Sequence, residues 1–420
     1  MFFGAGNLIF PPYLGFLTGT KWWLAGFGFL ITGVGLPLFG VVACAKINGT
    51  FVEITSRVGK VFSLVAVSSL VLAIGPMLAI PRTAATTYEL AVKPLFLTMP
   101  PMLSSIVYFI IVISFVLKPS AIVDNVGKVL TPILLIMLTA IIFKALLSPI
   151  GPISDTGFSN AFSYSLLEGY QTMDAMAAVI FSGIILSTAK EKGYKNSELT
   201  SVIIRSSIIA SVGLAFVYGG LLYLGSQSAT LFPLDISRTT LLTEVVRLDL
   251  GTFGTIVLAV AVSLACLTTA IGLLSTAADY FSRYVFNRRI SYNTTAIIMA
   301  IISAIISVSG VDTIVRIAIP MLTVLYPIVI ILIALTLMGD LAADRRIFRV
   351  TVGVTTLISL MDTITNLTNW TSLRTVLNIV PLASSGFIWL VPTIIAFCAS
   401  YLYATYLVPT PSLVNNRTQR

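Results

Sequence analysis

Gly4-Ala5-Gly6-Asn7-Leu8-Ile9-Phe10-Pro11-Pro12 is the stretch on which the fold turns. Glycine lowers helix propensity, and Pro11 lacks the N–H that an interior helical turn uses. Glycine is also common where membrane helices pack, so a packing role competes with a break. Two glycines, an asparagine and a proline pair within nine residues favour an unwound stretch. A second such stretch, Glu168-Gly169-Tyr170-Gln171-Thr172-Met173-Asp174, lies between the semi-polar residues 158–167 and the apolar run 175–189. Exposed backbone at membrane depth has to line a cavity, and two interrupted segments at corresponding places in two halves point to an inverted-repeat transporter.

The rest of the chain agrees with a membrane setting. Its 420 residues are 57% hydrophobic and 10% charged, with a mean hydropathy of +1.01. A soluble domain carries about 25% charged residues, so a soluble enzyme is excluded. At roughly 35 residues per span and connection, this length predicts about twelve helices. The expected spans are 1–20, 22–45, 61–81, 94–117, 129–143, 175–189 with its semi-polar approach, 206–234, 250–278, 290–311, 317–339, 350–361 and 381–407. Cys44, Cys266 and Cys398 lie in apolar stretches and read as small hydrophobes. The absence of histidine excludes imidazole metal sites, Ser-His triads and histidine relays. No cleavable signal pattern is visible.

With the N-terminus in the cytoplasm, sixteen bases fall inside, among them Lys46, Arg57, Lys118, Lys128, Arg345, Arg417 and Arg420. Five fall outside: Lys21, Lys93, Arg238, Arg247 and Arg374. This positive-inside bias places both termini in the cytoplasm and assigns the net charge of +9 to cytoplasmic loops, with no role for nucleic acid.

Spans one and six open two five-span units. Lys128-Val-Leu-Thr-Pro132-Ile-Leu in span five echoes Arg316-Ile-Ala-Ile-Pro320-Met-Leu in span ten, a short match that carries little weight alone. The expected organisation is a single transmembrane domain, 1–420: a first repeat over 1–148, a second over 157–339, two further helices over 347–407 and a cytoplasmic tail over 408–420.

A helix that restarts offers N–H groups to an anion, and one that stops offers carbonyls to a cation. A zwitterionic amino acid needs both. Ala5, Gly6 and Asn7 can supply donors, and Glu168–Thr172 carbonyls, against the alternative of a kinked structural helix. Gly169, Tyr170, Thr172 and Met173 complete the candidate substrate set, with Met77 and Met176 as further apolar walls. Asp174 either caps the second half of span six or acts as a coupling or gating carboxylate, and Glu168 is equally open. Thr268 and Thr269 either bond the carbonyl one turn back or, with backbone carbonyls, suit Na⁺. Arg82 and Glu89, seven apart at the outer end of span three, form a gate ion pair or a solvated rim pair. Asp279 and Arg283 read as an i,i+4 pair.

The chain resembles the bacterial branched-chain amino acid carrier family, the BrnQ-like cation symporters. The resemblance rests on Phe2-Phe3-Gly4-Ala5-Gly6-Asn7-Leu8-Ile9-Phe10-Pro11-Pro12, Gly26-Phe27-Gly28-Phe29-Leu30-Ile31-Thr32-Gly33-Val34-Gly35-Leu36-Pro37, Gly75-Pro76 and Ala79-Ile80-Pro81-Arg82-Thr83-Ala84. Glu168-Gly169-Tyr170-Gln171-Thr172-Met173-Asp174-Ala175 and Cys266-Leu267-Thr268-Thr269-Ala270-Ile271-Gly272-Leu273 extend it, so that it covers nearly the whole chain.

The resemblance implies an all-α, five-plus-five inverted-repeat (LeuT-like) fold with broken helices 1 and 6. It implies uptake of leucine, isoleucine and valine across the bacterial plasma membrane, driven by Na⁺ or H⁺, with no other cofactor and no chemistry on the substrate. By superfamily analogy, Thr268 and Thr269, with Ala265 beside them, join carbonyls of the first helix as Na⁺ ligands. Family members begin with a basic segment and about twenty more residues of span one. The resemblance therefore implies that the N-terminal half of that helix is absent here and that the chain as written inserts or transports poorly. A carrier of other neutral amino acids is the nearer alternative. A membrane-embedded enzyme lacks clustered acids or a metal motif, and a channel lacks a repeated pore loop.

Overall fold

A computed structural model describes residues 3–117 and 122–407, without the side chains of 122–131, 196–197 and 406–407. The tail 408–420, the bases Lys118, Arg417 and Arg420, and the Lys128 side chain of the span-five echo lie outside the described residues. Every regular element among the described residues is helical. In chain order these are α1 (Ala5–Thr18), α2 (Trp22–Leu30), α3 (Leu36–Lys46), α4 (Phe51–Ser56), α5 (Lys60–Leu72), α6 (Ala79–Thr87) and α7 (Lys93–Leu95). There follow α8 (Pro101–Val116), α9 (Ile122–Leu147), α10 (Ala161–Tyr170), α11 (Asp174–Glu191), α12 (Asn196–Ser226) and α13 (Arg238–Tyr280). The last are α14 (Tyr292–Ser307), α15 (Val311–Met338), α16 (Arg345–Thr368), α17 (Thr371–Leu377) and α18 (Leu390–Leu402).

Seven helical stretches among the described residues are long and apolar enough to cross a membrane, and four shorter apolar helices accompany them. One of the seven, Ala5–Lys46, is 42 residues long, well beyond the roughly 20 that one crossing needs. It turns at Gly19, whose φ of +50° no β-carbon tolerates well, and therefore holds two segments. Among the described residues the seven stretches and four shorter helices come to eleven, or twelve with Ala5–Lys46 counted as two.

The breaks differ from expectation in one helix. Around Gly4, backbone is extended (φ −133°, ψ −160°), but α1 then runs uninterrupted through Pro11 and Pro12. Proline's fixed φ suits a helix, but inside one its ring also presses on the carbonyl four residues back, so close packing has to hold the segment in place. A β-carbon on Gly225 would lie 1.9 Å from the Pro12 carbonyl oxygen, and one on Gly15 2.0 Å from that of Leu222. The backbones of α1 and α12 touch, and packing of this kind overrides weak propensity. Helix six breaks where expected: α10 stops at Tyr170, Met173 takes φ +61°, and α11 starts at Asp174.

Other boundaries move as well. The expected span at 250–278 belongs to a longer helix, α13, that starts at Arg238, is capped by Ser237 and kinks at Gly251 (φ +64°). The segment 238–250 is polar on one side, which hid it from a search for apolar runs. The span expected over 206–234 is shifted, since α12 takes in Glu198 and Arg205 and ends at Ser226 ahead of Pro233.

The chain folds as two compact units. One comprises Met1–Leu38, Ser68–Phe181 and Arg205–Ile319; the other comprises Phe39–Val67, Ser182–Ile204 and Pro320–Arg420. The first has a core built on Leu8, Ile9, Phe10, Leu14 and Phe16 of α1, Leu138 and Ile141 of α9, Tyr218, Leu221 and Leu222 of α12, and Leu258, Val262 and Cys266 of α13. The second is held by α16 against α18, where the Thr355 and Thr393 hydroxyls meet at 2.8 Å. Lys46 Nζ donates there to the Leu337 carbonyl at 2.9 Å, and Arg349 Nε to that of Val58 at 3.0 Å.

Candidate functional site

The site lies within the first unit, at the break between α10 and α11. Three tight turns end α10: Gln171 N–H to Glu168 O, Thr172 N–H to Gly169 O, and Met173 N–H to Tyr170 O, at 3.0–3.3 Å. The Thr172 hydroxyl donates to Gly169 O at 2.9 Å and accepts from Asp174 N–H at 3.3 Å. Thr172 thus serves the start of α11, which leaves the Asp174 carboxylate to turn across the unit. Its Oδ2 accepts from Asn7 Nδ2 at 2.6 Å and from the Tyr218 hydroxyl at 2.8 Å. The Asn7 amide also meets the Tyr218 hydroxyl. All three are buried, at 1% exposed for Asn7, 2% for Asp174 and 0% for Tyr218.

Asn7 has a second task. Its Oδ1 accepts from Gly4 N–H at 2.8 Å, tying down the extended residue ahead of α1. Beside it, the Thr269 hydroxyl of α13 donates to the Phe3 carbonyl at 3.1 Å. The Thr268 hydroxyl stays on its own helix, at 3.0 Å from both Leu264 O and Ala265 O.

Arg82 of α6 reaches the same break. Its Nη1 donates to Gln171 O at 2.7 Å and its Nη2 approaches Thr172 O at 3.5 Å. The guanidinium carbon sits 5.4 Å from the centre of the Phe10 ring. Gly4, Ala5, Gly6, Asn7, Arg82, Thr172, Met173, Asp174 and Thr269 all line one cavity of about 20 Å³. That volume holds about one water.

The expected set is therefore only partly gathered. Ala5, Gly6, Asn7, Thr172 and Met173 meet at the cavity with Asp174 and Thr269. Gly169 is turned against Thr32, whose hydroxyl a β-carbon there would meet at 2.0 Å. Tyr170 and Met176 are buried away from the cavity, and Met77, expected as a wall, is 38% exposed. Ala265 contributes its carbonyl to Thr268.

Arg82 and Glu89 take different partners. Arg82, expected at an outer rim, is 2% exposed and sits on the helix-six carbonyls. Glu89 accepts from the Thr239 hydroxyl at 2.6 Å and from Val311 N–H at 2.9 Å, beside a cleft of about 660 Å³ that Asp312 also lines. A π-helical turn at Tyr88–Val92 follows α6, so a spacing of seven no longer reports a shared face.

The ion pairing near the site centres instead on Arg238. It bonds Glu168 at 3.1 Å and Asp312 at 3.3 Å, and lies over the rings of Tyr13 (4.5 Å) and Phe10 (5.6 Å). Two guanidinium groups thus lie 5.4 and 5.6 Å from the centre of the Phe10 ring. In the sequence Arg238 reads as a base outside the membrane, and neither Tyr218 nor Asp312 stands out. Asp312, an acid beside an apolar run, carried a weak signal; a tyrosine in an apolar helix carries none. Asp279 and Arg283 form the expected i,i+4 pair at 2.6 Å.

An all-helical, multi-pass membrane protein is the class that this fold defines. A solved structure of Mhp1, a nucleobase-cation-symport-1 family transporter closed on bromovinylhydantoin, is similar at a TM-score of 0.61. The likeness covers 96% of this chain and 92% of that one at 15% identity, and it speaks for the fold alone. The sequence model of the family described as branched-chain amino acid transport protein matches residues 1–407. The branched-chain amino acid permease BraB of Bacillus subtilis (strain 168) is 34% identical over 98% of this chain and 95% of its own length. The branched-chain amino acid permease BrnQ of Salmonella typhimurium (strain LT2) is 36% identical over 94% of this chain and 91% of its own.

The chain belongs to the branched-chain amino acid transport protein family. It is a transporter of that class and not an enzyme. The family match begins at residue 1, and the expectation of a missing half of helix one finds no support in it.

Proposed function

We propose that this protein is a secondary active symporter that imports leucine, isoleucine and valine by alternating access, coupled to Na⁺ or H⁺. The observation that carries the reading is the meeting of Gly6, Asn7, Arg82, Thr172, Asp174 and Thr269 at one buried cavity beside the helix-six break. Such a site offers polar contacts to both ends of a zwitterion within apolar walls. The relatives named as branched-chain amino acid permeases support the substrate class.

The coupling cation, on this reading, binds between Thr269, the Phe3 carbonyl and the backbone around Ala265, with Thr268 behind them. An all-oxygen donor set suits Na⁺, a hard cation. Proton coupling is the second form of the reading, and Asp174 is the group that would carry the proton. Glu168 and Arg238 act as a gate over Phe10, and Glu89 steadies the outer segment that carries Arg238. The chain sits in the plasma membrane with both termini in the cytoplasm. Its two five-helix repeats span 1–148 and 157–339, with additional helices over 347–407.

Leucine uptake into proteoliposomes tests this, first under an imposed Na⁺ gradient and then under an H⁺ gradient. One of the two should drive accumulation; uptake indifferent to both overturns symport. Competition by serine and alanine as strong as that by isoleucine would favour a general neutral amino acid carrier instead.

A further inference from the structure

Glu89 is held by Thr239 and Val311, and the position of Arg82 on the helix-six carbonyls needs its own account. It is buried at the centre of the first unit, on a helix whose nine residues are all buried. A guanidinium there is tolerated only with acceptors, and it takes them from the end of α10, where carbonyls lack helical partners and the dipole is negative. Those same carbonyls are what an amino acid's ammonium group would use. Gly6 is shaped to the same occupant: a β-carbon on it would lie 2.9 Å from Arg82 Nη2. The guanidinium therefore fills the place of a ligand cation in a cavity with room for about one water.

We propose that Arg82 recognises the substrate's carboxylate by exchange. In the closed site its guanidinium sits on Gln171 O and Thr172 O. The incoming ammonium takes those carbonyls, and the guanidinium turns onto the carboxylate, for which its planar fork is the bidentate match. The Phe10 ring face provides a surface across which the guanidinium moves while keeping its cation–π contact. The exchange also keeps charge balanced. Arg82 and Asp174 line the cavity together, and a zwitterion adds no net charge, whereas a bare amine or a bare carboxylic acid does.

This assignment rests on the transport reading above, and one experiment separates the two. Purified full-length protein in lipid nanodiscs is given labelled leucine, with unlabelled leucine, leucinamide and 4-methylpentanoate as competitors. The wild type should prefer leucine to leucinamide by on the order of a hundredfold, the range of a charge-assisted pair. Arg82→Gln should collapse that ratio towards unity through weaker leucine binding. Arg82→Lys should give an intermediate ratio, since a point charge keeps only part of the contact. Should Arg82→Gln not fold, Arg82→Lys alone carries the test. A wild type that binds leucine, with the full ratio kept in the variants, overturns the role of Arg82 and leaves the transport reading standing. A wild type that binds no leucine overturns both.

Discussion

The side-chain amide of Asn7 donates to the carboxylate of Asp174 across 2.6 Å, joining the start of α1 to the start of α11. Tyr218 of α12 donates to the same oxygen. Burying a carboxylate is costly, and neutral donors offset only part of that cost. On the coupling reading, the arrival or loss of a cation beside this carboxylate shifts that balance.

Asp174→Asn distinguishes coupling from capping. Thr172 already serves the start of α11, and asparagine keeps an acceptor oxygen for Asn7 and Tyr218, so a purely structural Asp174 predicts little change in uptake. On the coupling reading, gradient-driven leucine accumulation falls by about tenfold or more, the scale of one charge-assisted interaction. Leucine counterflow without a gradient persists. Uptake and counterflow measured on the same proteoliposomes decide between them.

The contact between Thr269 and the Phe3 carbonyl predicts an asymmetric pair of variants. Thr269→Ala should raise the Na⁺ concentration needed for half-maximal uptake, and Thr269→Ser should restore it. Thr268→Ala should have the smaller effect, because its hydroxyl already serves Leu264 O and Ala265 O. A Na⁺ titration of leucine uptake gives the answer; equal curves for wild type and Thr269→Ala reject this ion site.

Arg238→Ala should destabilise the fold by roughly 3 kcal/mol, because it leaves Glu168 buried without its cation. The double variant Arg238→Ala with Glu168→Gln should recover part of that loss, as residues sharing an ion pair are not additive. Thermal unfolding midpoints of the two variants and of Glu168→Gln alone test the coupling. Strictly additive shifts would remove the pair from the argument.

Two glycines on α12 should behave in opposite ways. Gly225→Ala drives a β-carbon to 1.9 Å from the Pro12 carbonyl and should sharply reduce the yield of monodisperse protein. Gly219→Ala, on the same helix, meets nothing within 4 Å and should be tolerated. Size-exclusion profiles at equal expression compare them directly.

Much of this architecture was legible in the residues. The helix-six break falls within the polar run from Glu168 to Asp174, which interrupts the apolar pattern locally. The proline pair misled, because Pro11 and Pro12 were weighed by propensity while the contact of Pro12 with Gly225 decides their conformation. Arg238 was hidden by its setting: a base beside a polar segment reads as a loop charge until Glu168, seventy positions away, is seen to share its guanidinium.

By itself, the sequence determined that the protein lives in a membrane, that its helices number about twelve and that helix six is interrupted. These are matters of solvent compatibility and local backbone preference, and they need no partner. Only the tertiary structure decided where the polar groups go: Asp174 to Asn7 and Tyr218, Arg82 to Gln171, and the part-buried Glu89 to Thr239. Inside a membrane protein such groups have to find partners, but spacing along the chain cannot choose them. That choice depends on how closely helices distant in sequence approach and in what register, and backbone contacts such as those at Gly15 and Gly225 set it.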